Sequence, residues 1–112
     1  MSDILSDLEP LYSELSRDPG LADILELFVK EMSERVANLR EGLEAGDWAR
    51  LGRTAHQLKG AAGSYGFAPI SVGAAGVEQA IRQSLPESRI REAVEELIAL
   101  CRRARSGVSP QR

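Results

Sequence analysis

The sequence predicts an all-α protein: an antiparallel up-down-up-down four-helix bundle with a short extra N-terminal helix. Three observations support this prediction. Alanine and leucine are plentiful while β-branched residues are few, apolar residues recur at spacings of three and four, and proline and glycine divide the chain into segments of helical length. Because each amphipathic helix has to bury its apolar stripe, four of them joined by short links are expected to pack around one core.

The 112 residues suit a single domain, 1–112, for which we predict three parts. An N-terminal helical segment, 1–18, precedes the four-helix bundle, 20–106, and a frayed polar tail, 107–112, follows it. Pro10 lies within the N-terminal segment and predicts a kink or a restart of that helix. The apolar residues of the segment fit one helical face: Ile4, Leu5, Leu8, Leu11, Tyr12 and Leu15.

Four amphipathic stretches make up the predicted bundle. The first is long, and its apolar residues recur without interruption. The second opens at Asp47, which suits an N-cap, and the third starts near Pro69, which suits the first turn of a helix. The fourth begins near Pro86. The approximate ranges are 21–43, 47–62, 69–84 and 86–101.

Charge and composition exclude several classes of protein. The formal net charge is −3, and no basic stretch of the kind that follows a phosphate backbone is present. Arg102, Arg103 and Arg105 cluster at the end of a predicted helix, where cations interact favourably with the helix dipole. No apolar run approaches the roughly 18 residues that span a bilayer, and no signal-peptide pattern opens the chain. We therefore expect a cytoplasmic monomer that binds neither nucleic acid nor a membrane.

Cysteine and histidine each occur once. An intrachain disulfide is therefore excluded, and a zinc site of histidine and cysteine side chains cannot be built within the chain. Cys101 falls in an apolar helical row, which predicts a buried core thiol. The single histidine, His56, lies among glycines in the stretch AHQLKGAAGSYGF, residues 55–67.

A helical wheel places His56 about 120° from the mean direction of the apolar row of its helix, so the imidazole faces solvent or the margin of the bundle. Gly52 and Gly60 are its i−4 and i+4 neighbours. Each mid-helix glycine weakens a helix by about 0.8–1 kcal/mol relative to alanine. Two explanations compete: close approach of another helix, favoured at Gly63, and access of a partner's atoms to the imidazole, favoured at Gly60.

An exposed imidazole can have several roles. It can be plain polar surface, a metal ligand, a general base or a covalent nucleophile. A metal site would need further ligands, and a general base would need an orienting group and a substrate pocket. A nucleophile that accepts a phosphoryl group needs small neighbours and a nearby cation, and Lys59 at i+3 fits that need. Arg53 at i−3 can add to the field. The coincidence of His56, Lys59 and Gly60 on one strip favours phosphoryl acceptance.

At these residues the stretch resembles the signature of the histidine-containing phosphotransfer (HPt) domains of multistep phosphorelays. That signature has a histidine, a hydrophobic residue two positions on, a lysine three on and a glycine four on. Here these residues are His56, Leu58, Lys59 and Gly60. The family often has a glutamate or glutamine in the next helix, where this chain has Glu78. The resemblance covers nearly the whole chain and implies the family's four-helix bundle.

The resemblance implies a function. His56 would accept a phosphoryl group from an aspartyl phosphate on a receiver domain, commonly that of a hybrid sensor histidine kinase, and would pass it to the aspartate of a response regulator. Lys59 would stabilise the phosphorylated state, Gly60 would give clearance, and Glu78 would hydrogen-bond or orient the ring. The magnesium ion would belong to the receiver domain. The chain itself would bind no cofactor and would have no autonomous kinase activity.

Exposed residues around the histidine are the expected receiver-binding surface. They are Arg53, Gln57, Gly63, Ser64 and Tyr65.

Two alternatives remain open from the sequence. One is a helical interaction module whose histidine is never phosphorylated, although such a scaffold has no need for an exposed histidine, lysine and bare backbone in register. The other is the phosphoacceptor domain of a larger chemotaxis-type kinase. The initial Met1 and the polar C-terminal tail favour a standalone protein.

Overall fold

A computed structural model describes residues 9–108, which form five α-helices, one 3₁₀ turn and a two-stranded ribbon. The helices are α1 (Ala22–Lys30), α2 (Met32–Ala45), α3 (Trp48–Ser64), α4 (Ala68–Arg82) and α5 (Glu87–Arg103). The 3₁₀ turn is Pro19–Leu21, and the strands are β1 (Leu11–Tyr12) and β2 (Ala104–Arg105).

Helices α2 to α5 form a closed ring in which each helix packs against two neighbours. Helix α3 lies between α2 and α4, and α5 closes the ring by packing on α4 and α2. The short links make consecutive helices antiparallel. Gly46 has the left-handed φ of 65° that ends α2, and the Asp47 side chain caps α3 by accepting from the Arg50 N–H at 3.1 Å. The prediction of an all-α four-helix bundle is confirmed.

The predicted long first helix of the bundle is divided in two at Glu31, which separates α1 from α2. Hydrogen bonding continues across the break, since the Glu31 N–H donates to the carbonyl of Leu27 and the Glu31 carbonyl accepts from Arg35 N. The buried residues Leu25, Phe28, Met32 and Leu39 continue one row across the break, at spacings of three, four and seven. In α1, Phe28 stacks on Phe67 with ring centroids 5.2 Å apart, so α1 covers the link between α3 and α4.

The predicted N-terminal helix is not present in residues 9–18, which form β1 and turns; residues 1–8 of that prediction lie outside the described residues. The Ser13 hydroxyl accepts from the Leu15 N–H at 2.9 Å and donates to the Tyr65 carbonyl at 2.6 Å. Such side-chain bonds to the backbone compete with helix formation. Strand β1 instead pairs in parallel with β2, with Leu11 opposite Ala104.

The core is built from the apolar stripes that the sequence predicts. Cys101 is buried as expected, and burial raises the pKa of its thiol to about 12, so the thiol is neutral and unreactive. The largest buried core side chains are Phe28, Phe67, Leu39, Leu43, Leu51, Leu58, Ile70, Leu97, Ile98, Val77 and Val94.

Within residues 9–108, none of the helices combines the length and the apolar character that crossing a membrane requires.

Candidate functional site

His56 lies on the outer surface of α3, with 66% of its side chain exposed. The opposite side of α3 faces the core through Leu51, Ala55, Leu58 and Ala62, which are fully buried. This regular spacing fixes the direction of the histidine, because a helix that buries one stripe must turn its other positions outward. The outward orientation predicted from the helical wheel is confirmed.

Glu78 reaches the histidine from α4, the antiparallel neighbour of α3. Its Oε2 lies 2.7 Å from His56 Nδ1, and its Oε1 accepts from Lys59 Nζ, also at 2.7 Å. The Glu78 side chain is 15% exposed. The hydrogen bond from Lys59, followed by that from His56, holds the pKa of Glu78 below its ordinary value. One carboxylate therefore links the predicted histidine to the predicted lysine.

The contact between Glu78 and His56 decides which imidazole nitrogen is available for chemistry. Because its pKa is lowered, Glu78 is ionised at neutral pH, and an ionised carboxylate only accepts hydrogen bonds. The short contact to Nδ1 therefore assigns the ring proton to that nitrogen. The lone pair of the neutral ring lies on Nε2, the nitrogen remote from Glu78.

A second cation, Arg82, approaches the same carboxylate. Its Nη2 lies 3.3 Å from Glu78 Oε2, and the two residues are one turn apart on α4. Nothing in the sequence pattern around His56 predicts that Arg82 lies at this site. The i,i+4 spacing of Glu78 and Arg82 was an available signal for the ion pair, but its closeness to His56 depends on how α3 and α4 pack.

A family model described as the Hpt domain matches residues 23–107, which is more than half of the chain. This chain belongs to the Hpt family. Hpt domains carry out histidine phosphotransfer in phosphorelays and interact with receiver domains of two-component systems. Comparison with curated proteins and with solved structures returned no significant match.

The glycines around His56 differ in their surroundings. A Cβ placed on Gly60 would meet no atom within 4 Å, so this position is open to solvent. A Cβ on Gly63 would lie 3.4 Å from Ser71 Oγ, the hydroxyl that donates to the Lys59 carbonyl at 2.9 Å. The structure therefore supports clearance at Gly60 and close approach of α4 at Gly63.

A shallow depression of about 450 Å³ borders His56 on the side of the N-terminal half of α3. Trp48, Gly52 and Ile81 line it, and two of the predicted receiver-binding residues, Arg53 and Gln57, lie on it as well. The depression gives the surface beside the histidine both apolar and basic character.

The other three predicted receiver-binding residues lie at the opposite end of α3. Gly63 and Ser64 are exposed. Tyr65 is partly buried, and its ring packs edge-on against Phe28 at 5.5 Å. Tyr65 thus has a structural role at the link between α3 and α4, whatever a partner contacts there. In residues 9–108, no group of three or more histidine, cysteine, aspartate or glutamate side chains is arranged to hold a metal ion.

Proposed function

We propose that this Hpt protein is a phosphocarrier, in which His56 accepts a phosphoryl group from a receiver-domain aspartyl phosphate and relays it to the aspartate of a response regulator. The observation that supports this most directly is the hydrogen bond of 2.7 Å between Nδ1 and Glu78 on a ring that is 66% exposed. It leaves Nε2 unprotonated and turned away from the carboxylate.

The transfer balances without any further reactant. The Nε2 lone pair of His56 attacks phosphorus, an N–P bond forms, and the bond from phosphorus to the receiver's aspartate oxygen breaks, which releases the aspartate as a carboxylate. The ring proton stays on Nδ1, where Glu78 stabilises the positive charge that the ring gains. In the second transfer, the regulator's carboxylate attacks phosphorus and the N–P bond breaks, so that neutral His56 is restored.

Lys59 and Gly60 assist in different ways. The Lys59 ammonium has three donors, so it can keep its hydrogen bond to Glu78 and also donate to an oxygen of the phosphoryl group on His56. Its charge balances part of the roughly two negative charges that a phosphoryl group brings. Gly60 leaves space for the incoming receiver domain, because nothing lies within 4 Å of where its Cβ would be.

The partner supplies the rest of the chemistry. We propose that receiver domains of a hybrid sensor kinase or of response regulators dock on the surface around His56, with Arg53, Gln57 and Ser64 among the contacts, and that they bring their own magnesium ion. The chain then needs no cofactor and no kinase activity of its own. A monomer in the cytoplasm is the form that fits this role.

The test is to mix the protein with a phosphorylated receiver domain and to follow label that is acid-labile and base-stable, as expected of phosphohistidine. His56→Gln should accept no such label while keeping its helical circular dichroism. If His56→Gln is labelled as fully as the parent protein, the phosphocarrier proposal is wrong. A protein that binds receivers with no labelling at all would instead be an interaction module.

A further inference from the structure

The Glu78 carboxylate is shared by three basic side chains, which is more than orientation of the histidine requires. Lys59 donates to Oε1, whereas His56 and Arg82 both approach Oε2. With the imidazole neutral, this cluster has two positive charges and one negative charge. The site therefore has an excess of positive charge before any phosphoryl group arrives.

Arg82 is the less tightly held of the two cations. Its Nη2 lies 3.3 Å from Oε2, compared with 2.7 Å for the Lys59 contact, and 68% of its side chain is exposed. Exposed ion pairs of this kind contribute little to stability, because solvent screens the charges and both side chains lose freedom. Arg82 can therefore leave Glu78 at low cost when a stronger anion is near.

The two cations approach the ring from different directions. Lys59 follows His56 by one turn of α3, towards the C-terminal end of that helix. Arg82 lies on α4 beside the opposite half of α3, where it lines the same depression as His56 and Gly52. Gly52 keeps this space open, since a Cβ there would meet only Ile81, at 3.9 Å.

We infer that Arg82 is a second phosphoryl-binding cation, which exchanges Glu78 Oε2 for the oxygens of the phosphoryl group on His56. The inference rests on the proposed phosphocarrier function. A phosphoryl group brings up to two negative charges and three acceptor oxygens, and a guanidinium fits two such oxygens at once. Departure of Arg82 also leaves Oε2 to the His56 Nδ1–H alone, so the orienting hydrogen bond is kept in the phosphorylated state.

The experiment uses potassium phosphoramidate, a small donor that removes any effect of receiver docking. The His56 Nε2 lone pair attacks its phosphorus, the donor's P–N bond breaks, and ammonia leaves with a proton from water. The initial rate of phosphohistidine formation is followed by ³¹P NMR for the parent, Arg82→Gln and Arg82→Lys. Arg91→Gln is the matched control, since Arg91 is also an exposed arginine in an i,i+4 pair, with Glu87 at 3.2 Å.

Arg82→Gln should be labelled roughly three- to tenfold more slowly than the parent, Arg82→Lys should recover part of the rate, and Arg91→Gln should match the parent. The difference should shrink at high salt, because the cation is exposed. Thermal unfolding of Arg82→Gln should stay close to that of the parent, which separates a phosphoryl contact from a structural role.

Other results would contradict the inference or its basis. Equal labelling of Arg82→Gln and the parent overturns the role of Arg82 while leaving His56 as phosphoacceptor. Equal slowing of Arg82→Gln and Arg91→Gln shows an effect of net charge alone and also overturns it. A parent protein that phosphoramidate does not label at His56 contradicts the proposed phosphocarrier function itself.

Discussion

Two carboxylates in this bundle each pair with a cation on the neighbouring helix, yet their surroundings differ. Glu95 of α5 accepts from Arg40 of α2 at 2.5 Å, and Glu78 of α4 accepts from Lys59 of α3 at 2.7 Å. In both cases the hydrogen bond to the cation is the largest cause that lowers the pKa of the carboxyl group. Local electrostatics alone therefore do not distinguish the two sites.

The difference lies in what else the carboxylate contacts. Glu95 is 47% exposed, and its hydrogen bond to Arg40 joins α5 to α2. Glu78 is 15% exposed, and its other oxygen accepts from the ring of an exposed histidine beside open glycine surface. A cation–carboxylate pair across two helices is thus a general connection in this bundle. Under the proposed function, such a pair serves chemistry at Glu78, because its second carboxylate oxygen fixes the tautomer of His56.

The largest expected effect comes from removing each carboxylate in turn. Glu78→Ala should slow phosphoryl acceptance by roughly tenfold or more, because the loss of a hydrogen bond to a charged group leaves the ring free to rotate and to place its proton on Nε2. Glu95→Ala should leave the rate unchanged. The measurement is the initial rate of His56 labelling by a phosphorylated receiver domain.

The two variants also provide the control. Each variant loses the ion pair between its carboxylate and a cation on the neighbouring helix, and Glu78→Ala also loses the contacts with His56 and Arg82. Urea unfolding of both variants therefore accompanies the rates, and a rate loss in Glu78→Ala at a stability similar to that of Glu95→Ala does not come from a weakened bundle. Equal rates for Glu78→Ala and the parent would show that the carboxylate does not orient the histidine, and that Glu78 and Glu95 do not differ in function.

The sequence predicted the helices and the direction of His56 because both depend on local periodicity. Residues Leu51, Leu58 and Ala62 define the buried stripe of α3, and the exposed position of His56 follows from them. The family resemblance predicted a role for Glu78. Helical periodicity could not, because Glu78 and His56 lie on different helices. Arg82 was missed for the same reason: helical spacing reveals its pair with Glu78 but does not place that pair beside the histidine.

The elements that differ from the prediction are those that depend on distant contacts. The apolar periodicity of the first predicted helix continues through Met32, so it does not predict the break at Glu31. Strand β1 is two residues long, too short for an alternating pattern, and its partner β2 lies near the other end of the described chain. Ser13 adds a hydrogen bond to the Tyr65 carbonyl, which local sequence cannot predict.

A smaller effect is expected from placing a side chain at Gly60, on the open surface beside His56. Gly60→Gln should slow transfer from a receiver domain several-fold, because the new side chain occupies space that the partner needs. It should also raise the free energy of unfolding by about 0.5 kcal/mol, since glutamine is a better helix former than glycine. The measurements are labelling kinetics with a phosphorylated receiver and urea unfolding.

Gly76 of α4 offers a matched control for Gly60. A Cβ at either position would meet nothing within 4 Å, and both lie inside a helix. Gly76→Gln should therefore stabilise the protein by a similar amount, yet leave transfer unchanged because Gly76 borders α5 rather than the histidine. If Gly76→Gln slows transfer as much as Gly60→Gln does, the effect of Gly60 is not one of access to the histidine.

The smallest expected effect is on the pH dependence of folding stability, to which Glu78 and Glu95 both contribute. Each has a folded-state pKa below the ordinary value of 4.5, so each ion pair stabilises the fold fully above that value. The stabilisation disappears as the pH falls through the lowered folded-state pKa, because the folded state must then bind the proton that the unfolded state already holds. Glu78→Gln and Glu95→Gln should each be less stable than the parent at pH 7, by a margin that narrows towards pH 3.

Urea unfolding of the parent and both variants at several pH values measures these margins. The second oxygen of Glu78 contacts His56, and its side chain is less exposed than that of Glu95. Added salt should therefore reduce the stability difference between Glu78→Gln and the parent less than the difference between Glu95→Gln and the parent. Margins that do not change with pH would mean that the ionised carboxylates contribute no stability, and that the two sites differ in reactivity alone.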